Sequence, residues 1–348
     1  MDSLWDFPDF DEHELVHFVT DRESGLKAVI AVHSSHLGPG AGGTRLWHYA
    51  QAGDAIADAL RLSRGMSYKN AMAGLPLGGG KAVILADEAR TKTPQMLAAF
   101  GRAVEGLCGR YVTAEDVGMN VADMVAISKE TKFVAGLPAE SGAVGGDPGP
   151  HTSYGVFLGI KAAVKRALGK DSLEGLHLAI QGAGSVASGV ARHAAAEGAK
   201  LSIADVDPGR AHALAELTDG SVVDPADIMT LEADVFSPCA LGAILTEQSI
   251  AALNVPIVAG GANNQLETPQ DGARIHARGI LYAPDYVINA GGIINVAMEY
   301  LKSGDQDAVC RAVEQIPVRL DQIWAESDQT GRNPADVADT MAQRLIGR

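Results

Sequence analysis

Two lysines stand twelve residues apart around a glycine-rich, apolar stretch: Lys69 in Met66-Ser-Tyr-Lys69-Asn70, and Lys81 closing Gly78-Gly-Gly-Lys81. Lysine avoids burial unless it has a partner or a task. If the two share one cleft, each charge disfavours the other. One can stay protonated and grip a carboxylate, while the second loses its proton near neutral pH and serves as a base. The same residues also read as two surface lysines on a loop. A triphosphate-binding loop would need glycine where Leu75 stands and a Ser or Thr hydroxyl for Mg²⁺ where Ala82 follows the lysine, so that reading fails. A third group, Tyr111-Val-Thr-Ala-Glu115-Asp116-Val-Gly118, runs an apolar stretch into two acids, which either face a cleft or are solvated.

A separate pattern is Gln181-Gly182-Ala183-Gly184-Ser185-Val186-Ala187, a G-x-G-x-x-A run. Gly182 suits a tight turn off a strand, Gly184 lets backbone approach a pyrophosphate, and Ala187 lets helix and strand pack closely. An apolar strand precedes it, a helix follows, and Asp205 ends the next strand 21 residues past Gly184. That is the place for a carboxylate accepting from ribose hydroxyls, and it would repel a 2′-phosphate, so NAD is expected over NADP. The alternative for Asp205 is a solvated acid at a strand end.

These groups need elements to hold them. Val16 to Val19, a turn at Asp21 to Gly25 and an apolar run from Leu26 to Val32 read as a hairpin. Residues 54–66 read as a helix, Ala82–Leu85 as a short strand, and Pro94 opens a helix through Leu107. The stretch 141–150 is too rich in Gly and Pro for regular structure and marks a boundary. Beyond it, a helix over Thr152–Leu168 leads into Leu178–Ile180, a helix at Val190–Glu197 and Leu201–Ala204, a βαβ unit. Strands at 235–236, 256–259 and 280–282, interleaved with helices, predict a parallel sheet. The tail is helical; Asn333 and Pro334 start a last helix with Val337, Met341 and Leu345 on one face. The expected domains are 1–148 and 149–332, with the helix at about 333–348 free to pack back on the first.

The 348 residues suit two domains, and 40 glycines with few aromatics suit an α/β protein with backbone-built sites. A net charge of −15 without a basic cluster argues against nucleic acid. The three scattered cysteines, Cys108, Cys239 and Cys310, argue against disulfides or a zinc–thiolate site, so no metal is expected. No apolar stretch is long enough to span a bilayer, and the expected setting is cytoplasmic.

Taken together, the motifs resemble the glutamate/leucine/phenylalanine/valine dehydrogenases. The resemblance rests on Leu37-Gly-Pro-Gly-Ala-Gly-Gly-Thr-Arg45, Gly65-Met-Ser-Tyr-Lys-Asn70, Gly78–Lys81, Thr113–Gly118, Gln181–Gly184, Pro238-Cys-Ala-Leu-Gly242, Gly260-Gly-Ala-Asn-Asn-Gln265 and Ala283–Gly292, in family order over nearly the whole chain. Within that family the chain is most similar to the leucine-active members. The resemblance implies an α/β fold of two domains separated by a cleft: an N-terminal α/β domain with a mixed sheet, and a Rossmann-type NAD-binding domain. It implies reversible oxidative deamination of a branched-chain or other apolar L-amino acid, leucine foremost, to the 2-oxo acid, ammonium and NADH, by a homo-oligomer.

It also implies roles. Lys81 would be the catalytic lysine, Lys69 would hold the substrate carboxylate beside Gly42, Gly43 and Met66, and Asp116 would exchange protons with the amino group. Asn264 and Asn289 would lie by the substrate amine and the nicotinamide amide. Thr152, Cys239, Ala240 and Asn263 would join Gly182, Ala183, Gly184, Ser185, Val186 and Asp205 around the cofactor. Glutamate-specific members carry a lysine at the position of Ala41 and a serine at that of Val296. A buried γ-carboxylate here would lack a partner, so Ala41, Ala114, Ile293 and Val296 should form an apolar pocket. Ala41 replaces the leucine usual in leucine enzymes and enlarges the pocket; Ile293 replaces valine and shrinks it. Valine, isoleucine and phenylalanine therefore stay open beside leucine.

Overall fold

The computed structural model describes residues 3–87, 91–138 and 144–348, which separate into two compact units. The first comprises Met1–Gly146, Val296–Gln306 and Ala342–Arg348; the second comprises Asp147–Asn295 and Asp307–Met341.

In the first unit, β1 (Leu15–Asp21) and β2 (Leu26–Ser34) form the antiparallel hairpin that the sequence predicts. Its turn is closed by Asp21, whose Oδ2 accepts from the Ser24 N–H at 2.9 Å. There follow β3 (Gly40–His48), α1 (Ala52–Met72), β4 (Gly78–Ala86), α2 (Pro94–Gly106), β5 (Tyr111–Glu115) and α3 (Val121–Ile127). The sheet order is β1-β2-β4-β3-β5. β2 meets β4 antiparallel, while β4, β3 and β5 run parallel. Strand alternation divides the core in two. Ala28, Ile30, Val32, Ala82 and Ile84 face a layer with Phe100, Met124 and Ile127. Val29, Ala31 and Val83 face Ala55, Ala59 and Leu60 of α1.

The sequence places the start of β4 at Ala82, but the strand begins at Gly78. Glycine weakens strands on propensity, and tertiary packing overrides it here. A Cβ at Gly78 would fall 2.0 Å from the Ser34 carbonyl oxygen, and one at Gly79 would fall 2.1 Å from the Ser67 nitrogen. β2 and α1 approach this strand at backbone distance, where only glycine fits. β3 and α3 were not separately anticipated from the sequence, and α1 extends past the expected helix at both ends.

In the second unit α4 (Gly149–Leu168) carries Pro150 in its first turn. The end of the stretch read as irregular is thus helical, because proline costs nothing there; residues 141–143 of it lie outside the described residues. Then come β6 (His177–Gln181), α5 (Ser185–Ala196), β7 (Lys200–Ala204), α6 (Pro208–Thr218), β8 (Ser221–Val222), β9 (Val235–Pro238), α7 (Glu247–Ala252), β10 (Ile257–Val258), α8 (Pro269–Ala277), β11 (Leu281–Tyr282) and α9 (Asp285–Ile288). The helices α10 (Gly291–Tyr300), α11 (Gln306–Val313), α12 (Ile316–Thr330) and α13 (Pro334–Leu345) complete the chain. The sheet is parallel throughout, in the order β11-β10-β9-β6-β7-β8. Counted along the unit this is 3-2-1-4-5-6, the doubly wound dinucleotide-binding order.

The expected domain limits do not include the return of Val296–Gln306, the second half of α10 and the residues after it, to the first unit, where the Glu299 carboxylate accepts the N–H groups of Gly136 and Leu137, each at 3.0 Å. Asn333 caps α13, its Oδ1 accepting from the Asp336 N–H at 3.0 Å. Leu345, expected on the buried face, is exposed; the buried positions are Val337, Ala338, Ala342 and Ile346. Among the described residues no helix is long and apolar enough to cross a membrane.

Candidate active site

Within the first unit, β4, β3 and β5 bring three separated stretches of sequence side by side. Ala41 pairs with Gly79 and Val112, and Gly43 pairs with Ala114. With a side-chain period of two, Ala41, Gly43, Arg45, Lys81 and Ala114 share one face of the sheet. α1 covers that face. It is held close by Ser67 against Gly79 and by Asn70, whose Nδ2 donates to the Gly78 carbonyl at 2.6 Å. Lys69 lies on this same turn and is partly buried.

Asp116 follows directly on β5, and its Oδ2 receives Lys81 Nζ at 2.7 Å. The Lys81 side chain is 7% exposed and that of Asp116 24%. Gly43 makes room for the pair: a Cβ there would sit 2.8 Å from Asp116 Cβ and 2.5 Å from the Glu115 carbonyl oxygen. At Gly42 a Cβ would strike the Gly80 carbonyl oxygen at 1.9 Å and approach Met66 Cγ at 3.0 Å, so Met66 overlooks the glycine pair. Burial pushes the Lys81 pKa down, against the pull of Asp116 upward, with Arg45 adding to the lowering. Burial opposes ionisation of Asp116, but Lys81 and then Arg45 outweigh it and hold the carboxyl below its ordinary range. A lysine with a lowered pKa beside a carboxylate held ionised is a combination suited to moving protons.

The sequence reading gave no role to Arg45. Its Nε donates to Asp116 Oδ2 at 3.2 Å and its Nη1 to Asp58 Oδ2 at 2.8 Å. Only the adjacency of Arg45 to the glycine pair hinted at this; Asp58 lies 13 residues away on α1, with no local signal.

In the second unit, the predicted cofactor residues Gly182 to Val186, Asp205, Cys239, Ala240 and Asn263 lie after the carboxyl ends of β6, β7, β9 and β10, while Thr152 is in α4 and Asn289 follows α9. Gly182 takes φ 106°, and a Cβ there would meet Cys239 and Ala240 at 3.1 Å. A Cβ at Gly184 would meet nothing within 4 Å, so the backbone is open to an approaching group. Ser185 and Val186 begin α5, and Ala187, the next residue of the helix, is buried. Asp205 caps the turn, its two oxygens accepting from the N–H groups of Ala183 at 2.7 Å and Asp207 at 2.8 Å. Cys239 Sγ accepts from the Gly261 N–H at 3.3 Å, and burial pushes this thiol's pKa up. Asn289 Nδ2 donates to Asn263 Oδ1 at 2.7 Å and to the Gly261 carbonyl at 3.2 Å. Its Oδ1 is buried without a partner. Asn264 holds a left-handed backbone, φ 51°, beside Asn263. Thr152 packs where a Cβ at Gly292 would be 2.6 Å from its Oγ1. Ile293 and Val296 are partly buried along α10, in the second and first units respectively. Among the described residues no three His, Cys, Asp or Glu side chains could hold a metal ion.

Comparison with known proteins gives the family. The model of the Glu/Leu/Phe/Val dehydrogenase dimerisation domain matches residues 13–133, and that of the Glutamate/Leucine/Phenylalanine/Valine dehydrogenases matches residues 209–342. The leucine dehydrogenase of Geobacillus stearothermophilus is 48% identical over 99% of this chain and 93% of its own length. The valine dehydrogenase of Streptomyces albus is 45% identical over 96% of this chain and 92% of its own length. The crystal structure of L-tryptophan dehydrogenase from Nostoc punctiforme superimposes with a TM-score of 0.85 at 42% identity, covering 96% of each chain. The chain belongs to the Glu/Leu/Phe/Val dehydrogenase family and is an amino-acid dehydrogenase, an oxidoreductase.

Proposed function

We propose that this enzyme carries out the reversible, NAD-dependent oxidative deamination of apolar L-amino acids, leucine foremost, yielding the 2-oxo acid, ammonium and NADH. The observation that carries the reading is the buried Lys81–Asp116 pair at 2.7 Å on the glycine-lined face of the first unit's sheet. Lys69, on the α1 turn over that face, holds the substrate α-carboxylate near the backbone of Gly42 and Gly43. Asp116 takes a proton from the substrate ammonium. After the oxidation, neutral Lys81 accepts a proton from the water that adds to the imine carbon. Asp116 then returns its proton to the carbinolamine nitrogen; on collapse the nitrogen departs as ammonium with the hydroxyl proton, and the positive charges on Lys69 and Lys81 stabilise negative charge developing on the oxygen.

The second unit fits a dinucleotide. The orphaned Asn289 Oδ1 suits a carboxamide N–H, open space faces Gly184, and each Asp205 oxygen keeps a lone pair for a ribose hydroxyl. Gly182 to Val186, Asp205, Thr152, Cys239, Ala240, Asn263 and Asn289 would hold it. When bound, the nicotinamide accepts the substrate's Cα hydride. Asp205 would repel a 2′-phosphate, so Asp205→Ser is expected to cut the preference for NAD⁺ over NADP⁺ by about tenfold or more. Steady-state kcat/KM with each cofactor measures it, and an unchanged ratio refutes the role.

Ala41, Ala114 and Val296 of the first unit bring no charge to the side-chain site. Glutamate would bury an unpaired carboxylate, so kcat/KM for leucine should exceed that for glutamate by about a thousandfold. NAD⁺ reduction across a panel of L-amino acids tests the reading; glutamate as the best substrate, or no turnover with any, overturns it. The small side chain at Ala41, buried on β3, favours a second reading in which phenylalanine or another bulky substrate is preferred; the same panel decides. The match to a dimerisation domain supports a homo-oligomer formed through the first unit.

A further inference from the structure

Two charged side chains beside the acid–base pair form a chain of contacts that the reaction steps above do not use. Asp58 on α1 is gripped on three sides: Arg45 Nη1 reaches its Oδ2 at 2.8 Å, the Tyr49 hydroxyl donates to that same oxygen at 2.6 Å, and Arg61 Nη2 reaches Oδ1 at 2.8 Å. The Arg45 and Asp58 side chains are only 23% and 15% exposed, so this is no solvent-dominated pair. The guanidinium so anchored turns its Nε to Asp116 Oδ2, the oxygen that also receives Lys81.

We propose that Arg45, anchored through Asp58, is a positioning residue for the Lys81–Asp116 pair: it holds Asp116 Oδ2 in place and keeps a fixed positive charge beside the Lys81 ammonium. This rests on the dehydrogenase reading and deepens it. A planar guanidinium can span two carboxylates at once with divergent N–H groups, which a lysine ammonium at the same position cannot match. The charged and titratable groups that act on the pair are Arg45 from β3, Asp58 from α1 and Tyr111 from β5, and Tyr49 and Arg61 meet Asp58 in turn. After Asp116, Arg45 and Asp58 are the charges that act on Lys81, and they act in opposite senses: Arg45 favours loss of the lysine proton, Asp58 its retention.

That opposition supplies the test. For leucine oxidation, kcat/KM rises with pH as Lys81 loses its proton. In Arg45→Gln the midpoint of this limb should move up by about half a unit to one unit, a three- to tenfold loss of kcat/KM below the midpoint. In Asp58→Asn it should move down. Arg45→Lys should keep the midpoint while lowering kcat, since the charge survives and the two-carboxylate span does not. A defect that merely loosens the fold would not move the two limbs in opposite directions. A second measurement needs no turnover: the pH profile of Lys81 acetylation by acetic anhydride, read by peptide mass spectrometry on each folded variant, should shift the same way. Midpoints unchanged in Arg45→Gln, or moved upward in both Arg45→Gln and Asp58→Asn, overturn the proposal. Opposed shifts in acetylation with no NAD⁺ reduction by the wild-type enzyme would sustain it and overturn the dehydrogenase reading alone.

Discussion

Lys81→Ala should lower kcat for leucine oxidation by about 10³-fold or more while leaving NADH binding intact. The lysine is asked to accept the proton of the attacking water and then to lend its charge to the oxyanion, and each task carries a factor of about a hundred or more. Its burial is what suits it to the first task, since a solvated lysine would stay charged at neutral pH. The fold should tolerate the loss, because Asp116 keeps Arg45 as a counter-ion at 3.2 Å. The dinucleotide turn at Gly182–Val186 belongs to a different sheet, so titration of NADH fluorescence separates lost chemistry from lost structure. Retention of most of the wild-type turnover would remove Lys81 from the mechanism.

Gly79→Ala should be severely damaging for a single added methyl group. The new Cβ would stand 2.1 Å from the Ser67 nitrogen, 2.2 Å from its Oγ and 2.4 Å from the Ser63 carbonyl oxygen. Two of these three atoms are backbone of α1, so no rotamer change relieves the clash and the helix must lift away. About 3 kcal/mol or more of stability should be lost, together with turnover, because the helix that lifts carries Lys69. Urea denaturation gives the first quantity. A variant with unaltered midpoint and activity would show that α1 does not pack as described.

The helix-strand alternation of the second unit was legible because each of its signals is local: Pro334 behind Asn333, and Asp205 at the end of the strand after the glycine turn. The first unit was less so. Gly78 to Gly80 are poor strand formers by propensity, and the strand there exists because β2 and α1 close on it, which no window of sequence reports. Leu345 fits a helical stripe with Val337 and Met341 by spacing, but the stripe drifts around the helix and its buried continuation is Ala342 and Ile346. At the site, Lys81 and Asp116 were legible as residue types in unusual company. The Arg45–Asp58–Tyr49 contacts were not, because strand and helix periodicities say which face a side chain takes and not which charge it will find there.

The location of Lys81 in the interior of a paired strand constrains how such a chain can change over time. In a loop, one residue more or fewer before the lysine could be absorbed. Between Gly78 and Lys81 a single insertion or deletion would invert the strand's parity and drive the ammonium into the layer of Ile30, Ile84 and Phe100, where nothing could neutralise it. Change in this part of the chain is therefore confined to exchanging side chains at fixed positions, with the length of this strand held constant.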